Sequence, residues 1–424
     1  MKNMTSESSS LMRSAAAKKL PRRYAAEKRF KFYGKLAIFF ALVFLLTLLY
    51  GTIMRGLPAF QKTQVGLDIL FDPAFIAEGS HCSLPSLVNE SLLKLFPDTS
   101  KEALNNFRPL ISPGSCRILL ERIQNHPEDK DRTLRIWLPL SDDADLFLKN
   151  SESQKSLHKY RRLNAEQMQA LDKIEQKGRL KTIFNWGFFT RGDARNPEFA
   201  GIASAFAGSF YVIIIALLFA FPIGIAAALY LEEFNKRGYL SQWIEVNISN
   251  LAAVPSIVFG LLGLALFLGF FGLPRSSALA GGLTLGLMTL PTIIITSRSA
   301  LAAVPKSIRY AAQGMGASDV QVVLHHVLPL AMPGILTGSI IGTARALGET
   351  APLLMVGMMA FIGDIPHSPL DPASALPTQI FMWARNPEPG FIANAAAGII
   401  VLLAFIIFMN MIAIILRRKF EQRW

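Results

Sequence analysis

The stretch TARALGETAPLL, residues 343–354, places Arg345 and Glu349 four positions apart inside a run that otherwise reads as membrane-spanning. A charged side chain near a bilayer centre costs about 2.5–3.5 kcal/mol on insertion scales, so the pair needs a structural partner or a task. Four-residue spacing puts both groups on one helix face, where an ion pair would lower the cost of each. Two readings stay open. In one, the pair is a structural bridge or is satisfied by another subunit. In the other, the planar donor array of Arg345 contacts an oxyanion, and Glu349 orients or compensates the arginine. Thr343 and Thr350 offer further hydroxyl donors along the same path.

A second stretch, VPKSIRYAAQGMGASDVQVVLHHVLPLAMPG, combines a small-residue helical turn with an amphipathic segment and two prolines, Pro329 and Pro333. It reads as a helix lying across a membrane face, with small residues that let a partner surface approach closely. His325 and His326 are adjacent, which turns them to different faces of a helix, and no Cys/His/carboxylate set accompanies them, so a metal site is not expected. His81, His126 and His158 show no motif spacing. With no G-x-x-x-x-G-K-[ST] phosphate loop, the chain is not an ATPase, and no cofactor is expected. Cys82 and Cys116 are the two cysteines of the chain, and their spacing leaves a disulfide between them open.

These residues need elements to carry them. Hydrophobic residues make up 51% of the 424 and charged ones 17%, a mixture that reads as a polytopic membrane protein. The formal charge of +13 is concentrated in residues 1–35, a basic tail that reads as an orientation signal on the cytoplasmic membrane surface rather than a nucleic-acid arm. The expected fold is all-α with six spans, at 36–54, 207–231, 249–271, 278–297, 332–361 and 391–416. Lys and Arg in the short inward loops put both termini in the cytoplasm of a multi-pass inner-membrane protein. Arg298 and Arg309 read as part of that topology, or as contacts to lipid headgroups. A small α+β domain, 56–200, is expected outside the membrane between the first two spans, followed by a membrane domain over 201–424. Inside the small domain, Leu134, Ile136, Leu138 and Leu140 alternate as in a strand. Asn164 with Gln167 resembles a capping box opening a helix with Ala165, Met168, Leu171 and Ile174 on one face, stopped near Gly178.

Pro222, Pro255, Pro291 and Pro352 interrupt the spans, as simple kinks or as breaks lining a wet cavity. Gly334, Gly338 and Gly342, with Gly282 and Gly286, recur at the four-residue spacing that permits close helix packing.

The loop 302–330 resembles the coupling loop of ABC-transporter permeases. Ala311, Ala312 and Gly316, then Leu328 and Pro329, match that signature in order, while Tyr310 replaces its glutamate and His326 stands where an apolar residue is usual. NLAAVPSIVFGLLGL, LPTIIITSRSALAAVP and LTGSIIGTARALGETAPLL resemble stretches of phosphate-transport permeases of the PstA type, over roughly residues 200–424. The resemblance implies a type I ABC importer permease fold, a PstC-type sister permease, two ATPase subunits docked on the coupling loop, and a periplasmic phosphate-binding protein. It makes phosphate the oxyanion facing Arg345. Other readings are a permease for phosphonate or sulfate, or a membrane-anchored sensor using the 56–200 domain. The resemblance carries no role for residues 1–200, and placement on the delivery side suggests a regulatory or docking function for 56–200.

Overall fold

The structure is a computed structural model and describes residues 2–70, 84–95, 107–129, 132–149, 163–235 and 238–420. Residues 1–54 and 55–424 form two compact units. The first is essentially one helix, α1 (Lys2–Gly56), and the stretch Arg23–Phe60, which takes in its later part, is long and apolar enough to cross a membrane. Within it Thr47 and Thr52 donate their hydroxyls to the carbonyls of Val43 and Leu48, so neither exposes an unsatisfied group to an apolar surround.

The second unit opens with an α+β layer. Its elements are β1 (Gln61–Leu70), α2 (Leu84–Leu95), α3 (Ser115–Asn125), β2 (Thr133–Pro139), α4 (Asp142–Lys149), α5 (Ala165–Gln176), β3 (Leu180–Phe184) and α6 (Trp186–Thr190). The strands form an antiparallel sheet in the order β2-β1-β3, with Leu67 opposite Ile136 and Gln61 opposite Phe184. Val65, Leu67 and Ile69 of the central strand pack with Leu138, Leu140, Leu171 and Ile174. The alternation expected from residue 134 thus forms β2, and α5 starts at the expected cap, where the Asn164 amide donates to Gln167 Oε1 at 2.8 Å. Ala165 stays exposed, and Gln167 and Ala170 share the buried face instead. At Gly178 a φ of +65° ends the helix, a conformation that costs glycine little. Cys116 is disulfide-bonded, and Cys82, the other half of the expected pair, lies outside the described residues.

Five helices among the described residues are long and apolar enough to cross a membrane, and a bent pair brings the number to six if it counts as one span. In the second unit the bundle comprises α7 (Ala203–Leu229), α8 (Tyr239–Ala252), α9 (Ser256–Gly263), α10 (Ala278–Ala302), α11 (Lys306–Gly314), α12 (Asp319–Val322), α13 (Leu328–Gly348), α14 (Ala351–Met355), α15 (Leu376–Ala384) and α16 (Pro389–Phe420). Pro222 and Pro291 lie inside continuous helices. The expected span 249–271 is a correction: α8 and the run Ser256–Phe270 meet at 101°. The cause is the pentapeptide LAAVP, which occurs at 251–255 and again at 301–305. A residue before proline is steered out of the helical region, and proline then starts a new helix. Each copy gives the same elbow, with the Val254 amide bonded to Leu251 O and the Val304 amide to Leu301 O, both at 3.2 Å.

The expected span 332–361 is a second correction. Helix runs unbroken over Asp319–Gly348, through a π-turn at Val323–Val327, and stops there. Glu349 is extended, with φ −80° and ψ 117°. Small residues bring the helices together as expected. A side chain at Gly338 would collide with Thr296, and one at Gly282 with Ile215, whereas Gly342 has its nearest neighbours at 3.9 Å.

Candidate functional site

Arg345 occupies the last turn of α13 and is 57% exposed, while Glu349 just beyond the helix is 24% exposed. Arg345 Nε lies 3.7 Å from Glu349 Oε1, an ion pair too long for a hydrogen bond. Exposed pairs of this kind contribute about 0–1 kcal/mol, less than the cost of carrying an arginine into a bilayer. A bridge between the two therefore does not account for the arginine. Its charge is also favourably placed at a helix C-terminus. The exposed residues Ile341, Arg345 and Gly348 share a face. Thr343 does not join them: its hydroxyl donates to Ser339 O at 2.8 Å, and it lines a small cavity with Ile213, Leu285 and Ala346 on the packed side. Thr350 is half-buried beside Glu349 and precedes α14. The helix end sets Glu349 beside Arg345, with Thr350 next in the chain.

At the other end of the same rod lies the small-residue motif. In α11 Ala312 is buried against Val322, Val327 and Leu301, while Tyr310 and Ala311 face outward. Gly316 adopts a φ of +89°, and the amides of Gly316 and Ala317 return to the carbonyls of Gln313 and Ala312. That turn closes α11 as glycine-terminated helices commonly close, which gives this motif position a backbone reason to be glycine. Ser318 then caps α12, its amide bonded to Gln321 Oε1 at 2.9 Å. Leu328 packs inward and Pro329 is exposed. Tyr310, Met315, Val320 and Leu324 are 67%, 90%, 53% and 48% exposed, four large apolar side chains over one short segment. His325 and His326 are both exposed, in the π-turn. Among the described residues no group of His, Cys, Asp and Glu could hold a metal ion.

Sequence reading missed the charged network behind this surface. The side chain of Glu233, from the π-turn Tyr230–Phe234 that ends α7, is 9% exposed and is held bidentately by Arg309. Arg298 reaches Glu245 at 2.9 Å and Glu232 at 3.4 Å. Both arginines are thus bonded to carboxylates within the chain, a role that the reading by topology or lipid headgroups did not include. The adjacent acids EEF at 232–234 were the available signal.

Residues 220–424 match the family described as binding-protein-dependent transport system inner membrane component, and residues 17–157 match a domain of unknown function, DUF3333. A probable ABC transporter permease, YqgH of Bacillus subtilis, is 32% identical over 53% of this chain and 74% of its own length. The phosphate transport system permease PstA of Haemophilus influenzae is 30% identical over 52% of this chain and 77% of its own. PstA 1 of Mycobacterium tuberculosis is 33% identical over 52% and 73%, respectively. Motif, apolar helices and relatives agree, and the chain belongs to the binding-protein-dependent ABC transporter permeases, multi-pass membrane subunits, within the PstA type.

Proposed function

We propose that the chain is a transmembrane subunit of an ATP-driven importer for inorganic phosphate. Relatives named as phosphate transport permeases support the substrate. The observation that carries the reading is Arg345, a half-exposed guanidinium at the end of the helix that begins in the motif segment. A guanidinium binds a phosphate oxyanion with two parallel hydrogen bonds, and its long contact to Glu349 leaves donors to make them. Thr350 adds a hydroxyl at the same level. Thr343 belongs to the pathway only if α13 rotates.

Two ATPase subunits supply the energy, and one docks on the surface around Tyr310, Ala311, Ala312, Gly316, Leu328 and Pro329. The exposed apolar side chains there support a protein partner, with the Tyr310 ring replacing an acidic contact. A PstC-type sister permease completes the pore against the Arg345 face. A periplasmic phosphate-binding protein delivers the cargo, and lipid surrounds the remaining apolar faces. Both termini and the motif loop lie in the cytoplasm, and the α+β layer lies on the delivery side. Nucleotide-driven closure of the ATPases moves the motif helix, and the pore switches access around the arginine.

The test is ATP-dependent uptake of radioactive phosphate into proteoliposomes holding the full complex. Arg345→Gln is expected to lower uptake by about tenfold or more, the loss of a charged hydrogen-bonding contact. Unchanged uptake removes the arginine from the mechanism. Competition by sulfate or phosphonate at equal concentration would favour a broader oxyanion carrier.

A further inference from the structure

The motif helix α11 is nine residues long, and Ala312 is its buried residue. Half-buried Ile308 is the other side chain of α11 that packs on the same core, so apolar contact ties the helix down at two positions, yet it must transmit force if a partner pushes on it. Arg309, on that helix, makes the tie. Its Nη2 and Nε donate to the two carboxylate oxygens of Glu233 at 2.5 and 3.1 Å, and its Nη1 and Nη2 donate to the carbonyls of Val304 and Leu301 at 2.6 and 3.0 Å. Those carbonyls belong to the LAAVP elbow that follows α10, where Leu301 O also takes the Val304 amide, so the guanidinium fastens onto the turn itself. One guanidinium thus joins α11, the elbow after α10 and the π-turn ending α7. Arg298 binds the neighbouring Glu232, with Glu245 of α8, so both acids of the turn are engaged. The first elbow offers the contrast. Four residues after Pro255 stands Phe259, a buried apolar side chain in place of a guanidinium, so the second copy alone carries the polar joint.

We propose that Arg309 and Glu233 are positioning residues that convert displacement of α11 into movement of α7 and α10. The proposal rests on the permease reading and deepens it. A bidentate, largely buried pair resists sliding, and removing one partner strands the other charge. The neutral variant Glu233→Gln should therefore loosen the joint while the docking surface around Tyr310 stays intact.

Two measurements on the assembled complex test it. In proteoliposomes, Glu233→Gln is expected to cut uptake about tenfold while ATP hydrolysis changes by less than about twofold, with Glu233→Asp intermediate. Parallel loss of both activities in an assembled complex, or loss of neither, overturns the joint. The second measurement needs no knowledge of the cargo. Spin labels at Ser307→Cys on α11 and Tyr230→Cys on the π-turn report their separation by pulsed electron resonance, without nucleotide and after vanadate trapping. The separation is expected to stay constant in the otherwise unaltered chain and to shift or broaden with Glu233→Gln. An equal shift in both overturns the proposal. A constant separation alongside absent phosphate uptake would instead count against the cargo and leave the joint standing.

Discussion

Arg345 and Glu349 show how far spacing alone reads. Their four-residue separation was legible and does bring them together, but the pair is 3.7 Å long because the helix ends between them. Nothing in TARALGETAPLL marks that end except Gly348 and the proline at 352. Two roles for the arginine give opposite results on Arg345→Lys. If its charge only complements the helix C-terminus, lysine serves nearly as well, and uptake stays within about twofold. If it grips phosphate through paired donors, lysine loses the fork, and uptake is expected to fall about tenfold with a raised KM. Glu349→Gln separates the partner in the same assay. Uptake within about threefold of the unaltered chain means the carboxylate serves the arginine alone, since a partly exposed pair is worth about 1 kcal/mol or less.

Among elements, apolar composition made most spans visible and hid the bends. Residues 249–271 are uncharged and mostly apolar, so hydropathy averages across an elbow of 101° that depends on one proline and its preceding valine. The glycine spacing carried more information than it could rank. Gly338 lies directly against Thr296, whereas Gly342, one turn later, has its nearest neighbours at 3.9 Å, and only the packed structure separates the two. Gly338→Val is expected to lower stability by about 1–3 kcal/mol, the usual cost of overpacking. Gly342→Ala should be neutral or stabilising by a few tenths of a kcal/mol, since alanine favours helix over glycine. Thermal unfolding of the two purified variants in one detergent compares them directly. Equal melting temperatures would mean that α10 and α13 separate easily at Gly338.

For the molecule as a whole, sequence composition suggests a boundary near residue 200, and the structure has no seam there. Residues 55–424 form one compact unit in which the α+β layer is bonded to the bundle. Asp142 accepts the Gly390 amide at the start of α16 at 2.9 Å, a carboxylate favourably placed at a helix N-terminus. Asn394 donates to Pro197 O, and Ile202 bonds to Phe188 O at 2.7 Å. Such long-range bonds between loops leave no periodic signal. The same junction buries charge: Lys62 donates to Glu198 O at 2.8 Å above the Phe199 ring, near Arg191, Asp145 and Lys149, and Lys149 is ion-paired to Asp145. Burial first, then the Arg191 charge, lowers the Lys62 pKa from 10.5 to about 8. Burial also pushes the Glu198 carboxyl up, against the Ser112 hydrogen bond that lowers it. Between about pH 8 and 10.5 the unfolded chain keeps a proton on Lys62 that the folded one has released, so stability rises with pH in that window. From pH 7.5 to 9.5 the gain from this lysine is about 2 kcal/mol at most. Lys62→Met should remove that part of the slope while leaving the contribution of Lys149, which is shifted the same way. Melting curves of both proteins across the range measure the difference. Parallel slopes would mean that Lys62 is solvated in the membrane-embedded protein and that the junction opens to water.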